Sequence, residues 1–177
     1  MEKLDSRCVR RTYSHSVDRP MDDVFPLLCP VAEFDWLATW QCQILHSESG
    51  KVEKGCVFAT EMRGEEPSIW VVSRHDPKAH VGEFVTVTPG SRVRTLEIAL
   101  SERTGGGTLL TWSHTFVTLG PAGEDVLAGF TPEAYLESMD FVARSLEYYC
   151  RNGQRLEPSS VGAEDGTMDS GFTIGKS

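Results

Sequence analysis

Three of the five histidines in this 177-residue chain stand in alternating stretches among apolar neighbours. His15 closes the series Val9, Arg11, Tyr13, His15; His46 follows Trp40, Cys42 and Ile44; His114 lies between Trp112 and Phe116. Period-two alternation puts each series on one face of a strand. An imidazole or guanidinium on such a face has two fates. It is a buried group with its own hydrogen-bond partner, or it is one of the few polar anchors in an apolar pocket, where histidine can also move a proton near neutral pH. Both readings stand for His15 and His114. His46 sits near a strand end and equally suits solvent, and Arg11 equally suits a salt bridge at a sheet rim. The histidines come from separate stretches without ligand-type spacing, so no metal site is expected. His75 and His80 flank Asp76-Pro77 and are expected in solvent.

Cys8, Cys29, Cys42, Cys56 and Cys150 form no C-x-x-C pair, and their gaps match no zinc pattern. They read as reduced, buried thiols of a cytoplasmic protein, and none has a local partner that would activate it as a nucleophile. The chain contains no G-x-S-x-G, no phosphate-binding loop, no dinucleotide fingerprint and no H-E-x-x-H. Gly105-Gly106-Gly107 falls between two strand patterns and reads as a hairpin.

These residues need a sheet to position them. Cys8 to Val17 is the first strand, and Asp18-Arg19-Pro20 breaks it, with Asp18 suited to cap a short helix bearing Val24, Phe25, Leu27 and Leu28. A second short helical piece covers Val31 to Leu37. Six strands follow: Trp40 to Ser49, Cys56 to Arg63, Ile69 to His75, His80 to Thr88, Arg92 to Glu102 and Thr108 to Val117, all separated by turn signals. Short connections make neighbours antiparallel. After a helical turn at Glu124 to Gly129, Thr131-Pro132-Glu133 starts a helix to Asn152. Tyr135, Met139, Val142, Leu146 and Tyr149 form its apolar stripe, widened by Leu136, Ala143 and Cys150, and Gly153 ends it. A helix roughly 31 Å long with one apolar face needs a sheet to lie on.

Composition is that of an ordinary folded protein: hydrophobic residues make up 40%, and 17 Lys+Arg stand against 26 Asp+Glu for a net charge of −9. No run approaches the length of a membrane span, and no secretory signal is visible at the N-terminus. A domain over residues 1–156 and an acidic, Gly/Ser-rich, disordered tail over 157–177 are expected. The tail holds Glu157, Glu164, Asp165 and Asp169 against Lys176, −3 of the total, so the case against nucleic acid rests on the lack of a basic aromatic stripe.

The order of elements is distinctive, and local residues agree with it. Val17-Asp18-Arg19-Pro20-Met21-Asp22-Asp23-Val24-Phe25, then Asp35-Trp36 ahead of Gly50, Gly55 and Phe58, then Asp76-Pro77, and finally Leu146-Glu147-Tyr148-Tyr149-Cys150-Arg151-Asn152-Gly153 resemble the SRPBCC superfamily, also called START-like or Bet v 1-like. The resemblance spans about residues 7 to 156. It implies an α+β helix-grip fold: a seven-stranded curved antiparallel sheet wrapped around a long C-terminal helix, with two short helices after the first strand. In the superfamily's topology the first strand lies between the second and the last, which would let Arg11, His15, His46 and His114 approach one another.

The resemblance also implies a cavity between sheet and helix. Alternation nominates Tyr13, His46, Phe58, Met62, Leu96 and Ile98 as lining residues, with Trp112, His114, Phe116, Tyr135 and Met139. The face of the fourth strand is ambiguous between Ile69/Val71 and Trp70/Val72, and the fifth is assigned Val81, Glu83, Val85 and Val87. Superfamily members include carriers, polyketide aromatase/cyclases and Hsp90 ATPase activator homologues, so fold implies a cavity but no ligand. The expected function is binding of a small hydrophobic or amphipathic molecule without a cofactor. The alternatives are a cyclase/dehydratase-type enzyme using His114, His15 or Arg11, or a protein-interaction module. An exposed Trp70 or Phe84 would favour a homodimer.

Overall fold

The computed structural model describes residues 6–61 and 67–157. The chain runs β1 (Cys8–Val17), α1 (Met21–Val24), a single 3₁₀ turn (Phe25–Leu27) and α2 (Glu33–Trp36). The strands β2 (Gln43–His46), β3 (Val57–Thr60), β4 (Ser68–Asp76), β5 (Val81–Thr88), β6 (Arg92–Glu102) and β7 (Thr108–Thr118) follow, then α3 (Pro121–Gly129) and α4 (Pro132–Asn152). The seven strands form one antiparallel sheet in the order β1-β7-β6-β5-β4-β3-β2. Six strands are a meander in chain order, and β1 returns to pair with the last of them.

That order corrects one expectation. β1 and β2 are opposite edges of the sheet, so β1 does not lie between β2 and β7. The four polar residues expected to converge are therefore split. Arg11 stands directly across from His114, and His15 across from Leu110, whereas His46 is exposed on the far edge.

β2 is also shorter than its alternation implies. Trp40 donates its indole N–H to Pro30 O (2.8 Å), which turns it onto the preceding loop and out of the ladder. Downstream, the Glu53 carboxylate accepts from the amides of Glu48 (2.7 Å) and Ser49 (2.9 Å), drawing that backbone into a loop. All four residues of β2 are exposed. In β4 the inner face belongs to Trp70 and Val72, and in β5 to Phe84, Thr86 and Thr88, the reverse of the expected β5 face. The shared register carries the reversal from one strand to the next: Val72 pairs with Phe84 and Trp70 with Thr86. Trp70 and Phe84 are thus core residues, not surface ones that would favour a dimer.

α4 is anchored at both ends. The Thr131 hydroxyl accepts from Ala134 N (3.2 Å), Pro132 takes the first helical position, and Gly153 closes the helix at φ 63°. Tyr135, Met139, Ala143 and Leu146 are buried along one face, but Leu136 is 48% exposed and does not widen it. β1 grips this helix through Tyr13, whose hydroxyl donates to Asp140 (2.7 Å), and Arg19 beyond it donates to Cys150 O (2.7 Å).

Other expectations change at the surface. Asp18 does not cap α1; it pairs with Arg103 of the β6–β7 hairpin (2.6 Å). His75 and His80 are not in solvent: both rings pack on Phe25, and His80 meets Asp22 at 2.8 Å. Cys8 is exposed, unlike the other four cysteines, and none of the five is in a disulfide. Met62 and all of the expected tail except Glu157 lie outside the described residues.

Candidate functional site: an aromatic cavity between sheet and C-terminal helix

All four tryptophans of the chain line one cavity of about 380 Å³. Trp36 comes from α2, Trp40 from the loop after it, Trp70 from β4 and Trp112 from β7. Phe58 and Phe84 fill the sheet wall between them, and Ser138, Met139 and Val142 of α4 form the opposite side. The rings are mutually ordered. Phe58 stacks on Trp70 with centroids 5.3 Å apart and planes at 12°, while Trp40 meets both in T-shaped contacts. The indole nitrogens are engaged: Trp36 donates to Leu27 O (2.8 Å), Trp70 to Thr60 Oγ1 (2.9 Å) and Trp112 to His15 Nε2 (3.3 Å).

Of the residues nominated from sequence, Phe58, Leu96, Trp112, His114 and Met139 line this cavity. Ile98, Phe116 and Tyr135 are buried in the core around it and do not line it. Tyr13, Arg11 and His15 lie outside on β1. Arg11 donates to Phe130 O (3.3 Å), with its guanidinium 5.4 Å from the Phe130 ring centroid. His46 is too far along the sheet and exposed.

Three ionisable groups decide the electrostatics. His114 shares a hydrogen bond with the Tyr135 hydroxyl (Nδ1 to Oη 3.2 Å), and burial, aided by the charge of Arg94, lowers its pKa to about 3. It is a neutral imidazole at any ordinary pH. Arg94 lies 4.5 Å from the Trp70 centroid and 5.6 Å from that of Phe116, an arrangement suited to cation–π attraction. Glu33 opens α2 and faces the same cavity. Its side chain is half-buried, and desolvation pushes its carboxyl up to about 8.

Glu33 and Arg94 were not among the nominated residues, though both carry a signal. Arg94 shares the parity of Leu96, Ile98 and Leu100 on β6, and Glu33 lies three and four residues before Trp36 and Leu37. Charged residues at those positions read as solvated until the buried faces are known. Among the described residues, no group of three His, Cys, Asp or Glu is placed to hold a metal ion.

A seven-stranded antiparallel sheet in this order, gripping a long C-terminal helix with a cavity between them, recurs in solved structures. A ginseng major latex-like protein from Panax ginseng superposes with a TM-score of 0.61 at 14% identity, over 80% of this chain and 97% of that one. The chain has a Bet v 1-like helix-grip fold. Norcoclaurine synthase from Thalictrum flavum, in a complex with dopamine and hydroxybenzaldehyde, shares the Bet v 1-like fold at TM-score 0.60 and 12% identity, over 84% of this chain and 89% of that one. DynU16, a protein in the dynemicin biosynthetic locus, matches at TM-score 0.54 and 19% identity over 83% of this chain and 48% of its own length. No family model and no curated protein matches the sequence. Among the described residues of this Bet v 1-like chain, no helix is long and apolar enough to cross a membrane.

Proposed function

We propose that this protein binds a small hydrophobic or amphipathic molecule in the cavity between its sheet and α4. One observation carries the reading: all four tryptophans, drawn from four separate parts of the chain, line the same space. Aromatic rings bring the largest apolar area per residue, and filling the space with protein would have stabilised the fold more simply. A volume of about 380 Å³ falls within the range of small-molecule pockets. The Bet v 1-like fold of norcoclaurine synthase holds two aromatic compounds in its structure, which supports the same use of the space here. A reducing, cytoplasmic setting is consistent with five free cysteines.

The imidazoles nominated for acid–base work are poorly suited to it. His114 is held neutral against Tyr135, and burial lowers His15 to about 4 beside the Trp112 indole. Binding is therefore the stronger reading. Thermal unfolding of the purified protein against a panel of fatty acids, aromatics and polyketide-like compounds tests it, because a ligand of the native state raises Tm by mass action. A concentration-dependent rise with at least one class is expected. No rise with any class, together with no co-purifying molecule in native mass spectrometry, would overturn it.

A further inference from the structure

We infer that the molecule taken by this cavity carries a cationic nitrogen, held between the Glu33 carboxylate and the faces of the surrounding tryptophans. The inference rests on the cavity being a ligand site and adds the chemical class of the ligand.

Glu33 has no partner of its own. Among the described residues no hydrogen bond or ion pair engages its carboxyl, and its environment acts on it by desolvation alone. The thiols of Cys29 and Cys42 lie near enough to feel its charge, but burial keeps both protonated, so neither supplies a countercharge. Asp35, two residues along, adds negative charge to the same neighbourhood. A carboxylate in such a place costs free energy unless a cation joins it.

The rest of the wall favours the same occupant. Among the described residues its charged groups are Glu33 and Glu61 against Arg94, and no lysine lines the cavity. Arg94 is already seated on Trp70 and Phe116, and His114 is neutral, so among the described lining residues negative charge exceeds positive when Glu33 is ionised. Trp36 and Trp40 stand three and seven residues beyond Glu33 and line the same space. Their N–H groups are used on the Leu27 and Pro30 carbonyls; Trp36 is fully buried behind the wall, and the half-buried Trp40 ring is left to face a ligand. Tryptophan faces are the best aromatic partners for an ammonium. A carboxylate and indoles lining one cavity provide the charge and the π surface that such a group requires.

Binding of an ammonium to a protonated Glu33 expels the carboxyl proton to solvent, and this gives a readout independent of any variant. The test is isothermal calorimetry of the wild-type protein at pH 7 in buffers of differing ionisation enthalpy, with three probes of matched shape: naphthylethylamine, neutral propylnaphthalene and naphthylacetate. The amine is expected to bind at least tenfold more tightly than propylnaphthalene and to release close to one proton, and in Glu33→Gln that preference should fall to about one. Equal affinity of amine and propylnaphthalene, no proton release, or preference for naphthylacetate would overturn the cationic assignment while leaving the cavity a ligand site. Failure of all three probes to bind would overturn both.

Discussion

His114 Nδ1 and the hydroxyl oxygen of Tyr135 sit 3.2 Å apart, joining the middle of β7 to the first turn of α4. The contact fixes how far the helix stands from the sheet beside the cavity. Tyr135→Phe removes the hydroxyl with little change in shape, and a loss of about 1 kcal/mol is expected from one neutral hydrogen bond. Urea unfolding with an unchanged m-value measures it. A loss below about 0.3 kcal/mol would mean the bond contributes nothing net.

Arg94 acts on the same histidine through its charge. A fixed cation disfavours the imidazolium, so Arg94→Met is expected to raise the pKa of His114 above its present value of about 3. An NMR titration of the imidazole carbons follows this directly. An unchanged or lower pKa would show that desolvation alone holds His114 neutral.

Stability should depend on pH with opposite signs on the two sides of neutrality. Burial depresses His114 to about 3 and His15 to about 4 from an ordinary 6.5. Below 6.5 the unfolded chain takes up protons that the native state refuses, so stability is full above 6.5 and falls as pH drops towards these values. Each such group contributes up to about 1.4 kcal/mol per pH unit. Glu33 is raised from 4.5 to about 8, so it has the reverse effect: its contribution is full below 4.5 and is lost as pH rises towards 8. Together the three groups place maximum stability near pH 6.5. In Glu33→Gln the alkaline limb should flatten, with a Tm advantage over wild type that widens between pH 5 and pH 8. A constant difference across that range would contradict the assignment.

Gly123, in the first turn of α3, is packed against the β5–β6 turn. A methyl group added there would lie 2.0 Å from Ser91 O and 3.2 Å from the Thr118 Cα, both backbone atoms. Gly123→Ala must therefore displace α3, and through it the start of α4, at a cost of about 1–3 kcal/mol. Thermal unfolding would show it, and an unchanged Tm would mean that α3 is free to shift.

Much of the architecture was legible because local pattern and tertiary role coincide. β1, β6 and α4 begin and end where alternation, glycine turns and the Thr131-Pro132 cap place them. β2 was not, because its residues are captured by long-range side-chain bonds: the Trp40 indole on Pro30 and the Glu53 carboxylate on the loop amides. On β5 both faces carry β-branched residues and only Phe84 distinguishes them, so face assignment needed the register with β4. The cavity was half visible. Phe58, Leu96, Trp112, His114 and Met139 follow from alternation and helical spacing. Trp36 and Glu33 come from a one-turn helix and Trp40 from the loop after it, too short for their spacing to fix a face, and only the folded chain turns them towards the sheet.

Because every tryptophan lines the cavity, intrinsic fluorescence reports on this space and little else. Titrating the purified protein with propylnaphthalene, excited in the indole band, asks whether the cavity takes up a ligand. A saturable change in emission with one-to-one stoichiometry is the expected result. A signal that stays flat, or changes linearly without saturation up to the solubility limit, with both this probe and naphthylethylamine would contradict it.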